Sequence, residues 1–134
     1  MSLSLQNLQA ITLFVDDLPR TAEFYRDAFG LGVIHQDDDS TAFGFGNTVI
    51  NLLRSPAASE LIEPARVAEA ASGSRMQLTV EVDDVDATCA ALAEFGVSLL
   101  NGPMDRPWGV RTAAFADPAG HVWEIAAPLG QRSD

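Results

Sequence analysis

Residues 15–30, VDDLPRTAEFYRDAFG, return in altered form at residues 82–96 as VDDVDATCAALAEFG. Val15, Asp16, Asp17 and Leu18 align with Val82, Asp83, Asp84 and Val85, and the register holds back through Thr12 and Thr79. It slips by one at Phe29-Gly30 against Phe95-Gly96. Upstream of each copy an alternating run, Ala10 to Val15 and Gln77 to Val82, puts apolar side chains at every second position and predicts a half-buried strand. A helix follows directly. Leu18, Ala22, Tyr25 and Phe29 fall at helical spacing, and Val85, Cys89 and Leu92 repeat the first three positions, one apolar stripe per helix. Asp17 and Asp84 stand where a carboxylate accepts an orphan helix N–H, and Gly30 and Gly96 are placed to end the helices.

Short strands follow each helix: about 33–36, 41–45 and 48–53 in the first half, and 97–100, 110–116 and 122–126 in the second. The turn Asp117-Pro118-Ala119-Gly120 makes the last two a hairpin. Each half therefore reads as βαβββ. The expected organisation is α+β, with two tandem modules forming a curved mixed sheet around a cleft and helices outside. One domain spans about 7–128, with module 1 at 7–54, a linker at 55–74, module 2 at 75–128 and a tail at 129–134. Pro64 to Ala71 is the part of the linker expected to form a short helix.

With 134 residues, 47% hydrophobic and 20% charged, the chain suits one folded core. No apolar run approaches the roughly 20 residues of a membrane span, and the N-terminus resembles no signal peptide, so no membrane association and a cytoplasmic setting are expected. Cys89 is alone, which excludes an internal disulfide, and its place on the second helix's stripe predicts a buried, inert thiol. A net charge of −11 argues against nucleic acid, which needs clustered cations. It suits either a cationic ligand or simply a soluble acidic surface.

The paired βαβββ repeat, VDDL at the strand–helix junction, Phe24-Tyr25 in the first helix and FADPAGHVWEIA at 115–126 together resemble the vicinal oxygen chelate superfamily, which includes glyoxalase I, extradiol dioxygenases and bleomycin-resistance proteins. Residues 106–111, RPWGVR, are similar to segments of the bleomycin-resistance and glyoxalase-like branch. The resemblance implies a ligand cleft, a homodimer, and up to four metal-ligand positions on the first and last strand of each module. Here those positions hold Ala10, Asn51, Gln77 and Glu124. A methyl group and two neutral amides beside one carboxylate are a poor set for zinc or iron, so no metal and no other cofactor is expected. His121 has strand parity opposite to Glu124, and His35 lies outside the four positions; both read as rim or surface residues.

Strand parity carried from these positions aims Phe14, Asn51, Gln77, Thr79, Ala114 and Glu124 into the cleft, while Ile11, Leu13, Val15, Trp123 and Ile125 meet the helices. Trp108 either stacks a flat ligand or fills a subunit interface, Arg111 borders the mouth, and Arg106 and Arg111 read as loop braces more readily than as anion sites. Glu124 is an acid/base candidate for catalysis, or it forms a structural hydrogen bond to Gln77 or Arg111. Three functions follow: metal-independent binding of an aromatic or cationic small organic molecule at Phe14, Asn51, Gln77, Trp108, Arg111 and Glu124; a metal-dependent glyoxalase-like lyase or isomerase; or a regulatory domain with a remnant cleft.

Overall fold

The structure, a computed structural model, describes residues 5–130. Backbone contacts divide it into two compact units, one running through Glu69 and the other starting at Ala70. The first contains β1 (Ile11–Val15), α1 (Leu18–Asp27), β2 (Val33–Gln36), β3 (Ser40–Phe45), β4 (Thr48–Arg54) and α2 (Ser55–Ile62). The second contains a 3-10 turn at Ala70–Ser72, then β5 (Gln77–Glu81), α3 (Val85–Glu94), β6 (Leu99–Arg106), β7 (Val110–Ala116) and β8 (Val122–Pro128). The strand orders are β1-β4-β3-β2 and β5-β8-β7-β6, so the two βαβββ modules of the repeat are both present as four-stranded mixed sheets. Neither sheet closes into a barrel. In each, the first strand lies parallel to the last, and the intervening helix makes the crossover that a parallel pair requires.

The helices start for the reason the sequence offers. Asp17 Oδ1 accepts the Arg20 N–H at 3.1 Å, and Asp84 Oδ1 accepts the Ala87 N–H at 3.0 Å. Pro19 sits in the first turn of α1, where its missing N–H leaves no hydrogen bond unmade. Gly30 and Gly96 follow the two helices with φ of 69° and 80°. Leu18, Ala22 and Tyr25 are buried on α1, and Val85 and Leu92 on α3. Against α1, the helix-facing residues of the first sheet form the core: Val15, Phe43, Ile50 and Leu52 are all buried. Phe115, Trp123 and Ile125 do the same in the second unit.

Two expectations need correction. The helix of the linker occupies Ser55–Ile62, not Pro64 to Ala71. Pro56 begins it, and Glu63, preceding Pro64, is driven into extended backbone (φ −60°, ψ 145°) that ends it. The sixth strand starts at Leu99 and runs to Arg106, well past residue 100. Gly102-Pro103 reads as a break, but the strand absorbs it with bulges between Leu99 and Asn101 and between Asn101 and Met104. Of the expected tail at 129–134, residues 131–134 lie outside the described residues, as do Met1 to Ser4.

Candidate functional site

The repeat extends to the register of the sheets. Across the first sheet Thr12 pairs with Asn51, Asn51 with Ala42, and Ala42 with His35. Across the second, Thr79 pairs with Glu124, Glu124 with Ala114, and Ala114 with Asn101. Both β2 and β6 carry a bulge just before the outermost member of the row. Each row lies on the side of its sheet opposite the helix-packed core, because side chains alternate faces along a strand and Ile50 and Trp123 point the other way.

Phe14 pairs with Leu53, so it shares the open face of the first sheet with Asn51. Gln77 pairs with Val122, which puts it on the open face of the second with Glu124. Ala10 stands just ahead of β1. Glu124 is half-buried, and its Oε1 accepts a hydrogen bond from Thr79 Oγ1 at 3.0 Å. That corrects the sequence expectation of a bond to Gln77 or Arg111. Among the described residues no cation lies within ion-pair distance of Glu124.

Arg111 lies elsewhere. It alternates with Thr112 and Ala114 along β7 and so projects to the helix side, where its guanidinium donates to Asp86 of α3 (2.9 and 3.2 Å) and to Asp105 of β6 (2.8 Å). Its hydrogen bonds to Asp86 and then Asp105 hold its pKa above the ordinary value. The arginine on the open face is Arg106. Its Nε donates to Thr112 Oγ1 at 2.9 Å and its Nη2 to Asn101 Oδ1 at 3.1 Å, and its guanidinium carbon lies 5.8 Å from the Trp108 ring centroid. Trp108, in the β6–β7 turn, is 68% exposed. Sequence reading aims Thr79 inward and takes Arg106 as a loop brace, but passes over Asn101 and does not set Arg106 on the open face. Thr79 was legible, since it aligns with Thr12 and shares the parity of Gln77; Asn101 and Arg106 were not, because the bulges reset parity between residues 99 and 104.

The histidines are tied to turns. His35 Nε2 lies 3.2 Å from Asp37 Oδ2 in an exposed pair. The Asp37 carboxyl is lowered to about 2, first by the Asp39 N–H it accepts, then by His35 and Ser40. His121 Nδ1 lies 2.8 Å from Asp117 Oδ2, whose buried carboxylate also accepts the N–H groups of Ala119 and His121 and so sets the β7–β8 turn. Cys89 is half-buried rather than buried; desolvation, then the nearby Asp86 charge, raise its thiol pKa.

The donor set at the four inherited positions does not fit a divalent metal. Ala10 has no lone pair to give, Asn51 and Gln77 are neutral, and one oxygen of Glu124 already accepts a hydrogen bond. Among the described residues, no three His, Cys, Asp or Glu side chains converge as a metal site elsewhere. No described helix is long and apolar enough to cross a membrane.

Residues 7–125 match the family model of the Glyoxalase/Bleomycin resistance protein/Dioxygenase superfamily. The chain is 35% identical over 122 residues to the uncharacterized protein YraH of Bacillus subtilis (strain 168), covering 88% of this chain and 95% of that one. Among solved structures it resembles a glyoxalase/bleomycin resistance protein/dioxygenase from Nocardioides (TM-score 0.86, 24% identity, 98% of this chain and 89% of that one). It also resembles a glyoxalase-related enzyme from Fulvimarina pelagi (TM-score 0.79, 26% identity, 97% and 96%). A repeat that extends to matched registers and bulges, and a family match over nearly its full length, lead to one conclusion: the chain belongs to the Glyoxalase/Bleomycin resistance protein/Dioxygenase superfamily.

Proposed function

We propose that the protein binds a small, flat organic molecule on the open faces of its sheets and does so without a divalent metal. The observation that carries this reading is Glu124: a half-buried carboxylate on an open sheet face, held by a neutral hydroxyl and, among the described residues, facing no cation. Such a group keeps an oxygen for a ligand's donor or positive charge. Gln77 adds an amide on the same face, and the open face of the first sheet carries its own apolar and amide pair in Phe14 and Asn51, the mixture that small-molecule sites use. Trp108 supplies an aromatic platform. Arg111, spent on two carboxylates, braces α3 against the sheet and takes no part in binding. Glu124 remains the acid/base candidate should the bound molecule also react.

The protein works as a homodimer in this reading. The edge strands β2 and β6 leave Val33, Ile34 and Leu100 40 to 61% exposed, and pairing with a second copy would cover such edges. A cytoplasmic setting fits a chain whose lone Cys89 can form no internal disulfide.

The test is a thermal-shift screen of EDTA-dialysed protein against aromatic amines, aromatic acids and neutral aromatics, with elemental analysis of the same sample. A ligand at 100 times its Kd should stabilise by about 2.7 kcal/mol. Binding should persist in EDTA and weaken about tenfold in Trp108→Ala. Stoichiometric metal that is lost in Glu124→Ala, or hits that disappear in EDTA, would overturn the reading. Sedimentation of a 14.3 kDa species alone at micromolar concentration would remove the dimer.

A further inference from the structure

Among the described residues, Arg106 is a cation held in place by neutral side-chain acceptors. Arg54 donates to Asp39 and Arg111 to Asp86 and Asp105, as arginines in a chain of net charge −11 are expected to do. Arg106 instead donates to two neutral acceptors, Thr112 Oγ1 and Asn101 Oδ1, and among the described residues no carboxylate lies within ion-pair distance of it. Thr112 is buried and fixed in the sheet, so the half-buried guanidinium is oriented rather than free to seek a partner. A guanidinium carries five N–H donors. With one on Nε and one on Nη2 engaged, both on Nη1 and the second on Nη2 are left, enough for a two-pronged bond to a planar anion.

We infer that Arg106 is the anion seat of the ligand face, and that the ligand is an aromatic carboxylate whose carboxylate docks on Arg106 while its ring lies along Trp108. The inference rests on the proposed reading of the open face as the ligand surface. Three positions support the chemistry. Trp108 stands beside the guanidinium, so a ring attached to the anion meets an aromatic surface at once. Asn101 and Glu124 flank Ala114, one strand away on either side, so about 10 Å of sheet separates the two polar ends, by two interstrand spacings. Ala114 between them offers only a methyl group. One aromatic ring with a short polar arm at each end matches that span, with its donor end at Glu124.

The experiment titrates isotopically labelled protein with three para-substituted probes and follows backbone amides and the Trp108 indole N–H by NMR. The probes are 4-methylbenzoate (anion only), 4-methylbenzamide (its neutral counterpart) and 4-(aminomethyl)benzamide (cation only). Expected is binding of 4-methylbenzoate at least tenfold tighter than 4-methylbenzamide, with shifts at Asn101, Thr112 and the Trp108 indole. Arg106→Gln should abolish that preference, Arg106→Lys should retain part of it, and Arg26→Gln on α1 should leave it intact. Each variant's amide spectrum reports whether it is folded. If 4-methylbenzoate and 4-methylbenzamide bind equally, or Arg106→Gln leaves 4-methylbenzoate affinity unchanged, the anion seat is wrong. If 4-(aminomethyl)benzamide alone binds, and Glu124→Gln removes it, the ligand face stands and Arg106 falls. If no probe of any charge shifts an open-face residue, the reading of the face fails and this inference with it.

Discussion

Gly102 shows how much of β6 depends on one missing methyl group. Its φ is 82°, and a Cβ there would lie 2.5 Å from the Thr112 carbonyl oxygen and 2.8 Å from the Ala113 Cα, both backbone atoms that cannot step aside. Gly102→Ala should therefore cost on the order of 2 kcal/mol or more in urea unfolding, since strain and clash add. The same bulged stretch carries Asn101, so the substitution should also release Arg106. Arg111→Gln should behave differently. Its pairs with Asp86 and Asp105 are partly exposed and screened by solvent, so the loss of stability should be much smaller than for Gly102→Ala, and small-molecule binding at the open face should not change. Asp37 provides a pH signature. Its carboxyl is depressed from 3.8 to about 2, so its contribution is present above 3.8 and disappears as pH falls through about 2; carboxyl-carbon NMR should show a midpoint there. A midpoint near 3.8 would mean that the turn from Asp37 to Ser40 is not formed in solution.

Among the elements, those with a cap and a stripe were legible. Asp17 and Asp84 named the starts of α1 and α3, and alternation fixed β7 to its residue. Asp84→Ala should cost about 1 kcal/mol and loosen the first turn of α3, read as faster amide exchange near Ala87. What was hidden has physical causes. The linker helix depended on which of two prolines opened a helix and which closed one. Parity located the open-face residues of the regular strands, namely Phe14, Asn51, Gln77 and Glu124, but in β6 a bulge shifts parity without marking itself in the sequence. Arg111 sits in unbulged β7 at parity opposite to Ala114, so its place at a strand end, not a bulge, is what suggests the mouth. Trp123 and Trp108 separate the two faces by stability: Trp123→Ala, at 1% exposure, should cost about 3 to 5 kcal/mol, and Trp108→Ala less than about 0.5.

At the scale of the whole molecule, duplication explains the pattern. Two copies of one module retain Thr12 and Thr79, Ala42 and Ala114, and a bulge at the same place, yet differ where chemistry would reside: Asn51 against Glu124, His35 against Asn101. Glu124, hydrogen-bonded to Thr79, and the oriented cation Arg106 share the open face of the second sheet. The most direct measurement is an NMR titration of EDTA-dialysed protein with 4-(aminomethyl)benzoate, which carries both a cation and an anion. Shifts at Thr79, Glu124, Asn101 and the Trp108 indole that are identical with and without added zinc are predicted. Shifts that appear only when zinc is added, or that map to the helix-facing residues around Arg111, would contradict the account.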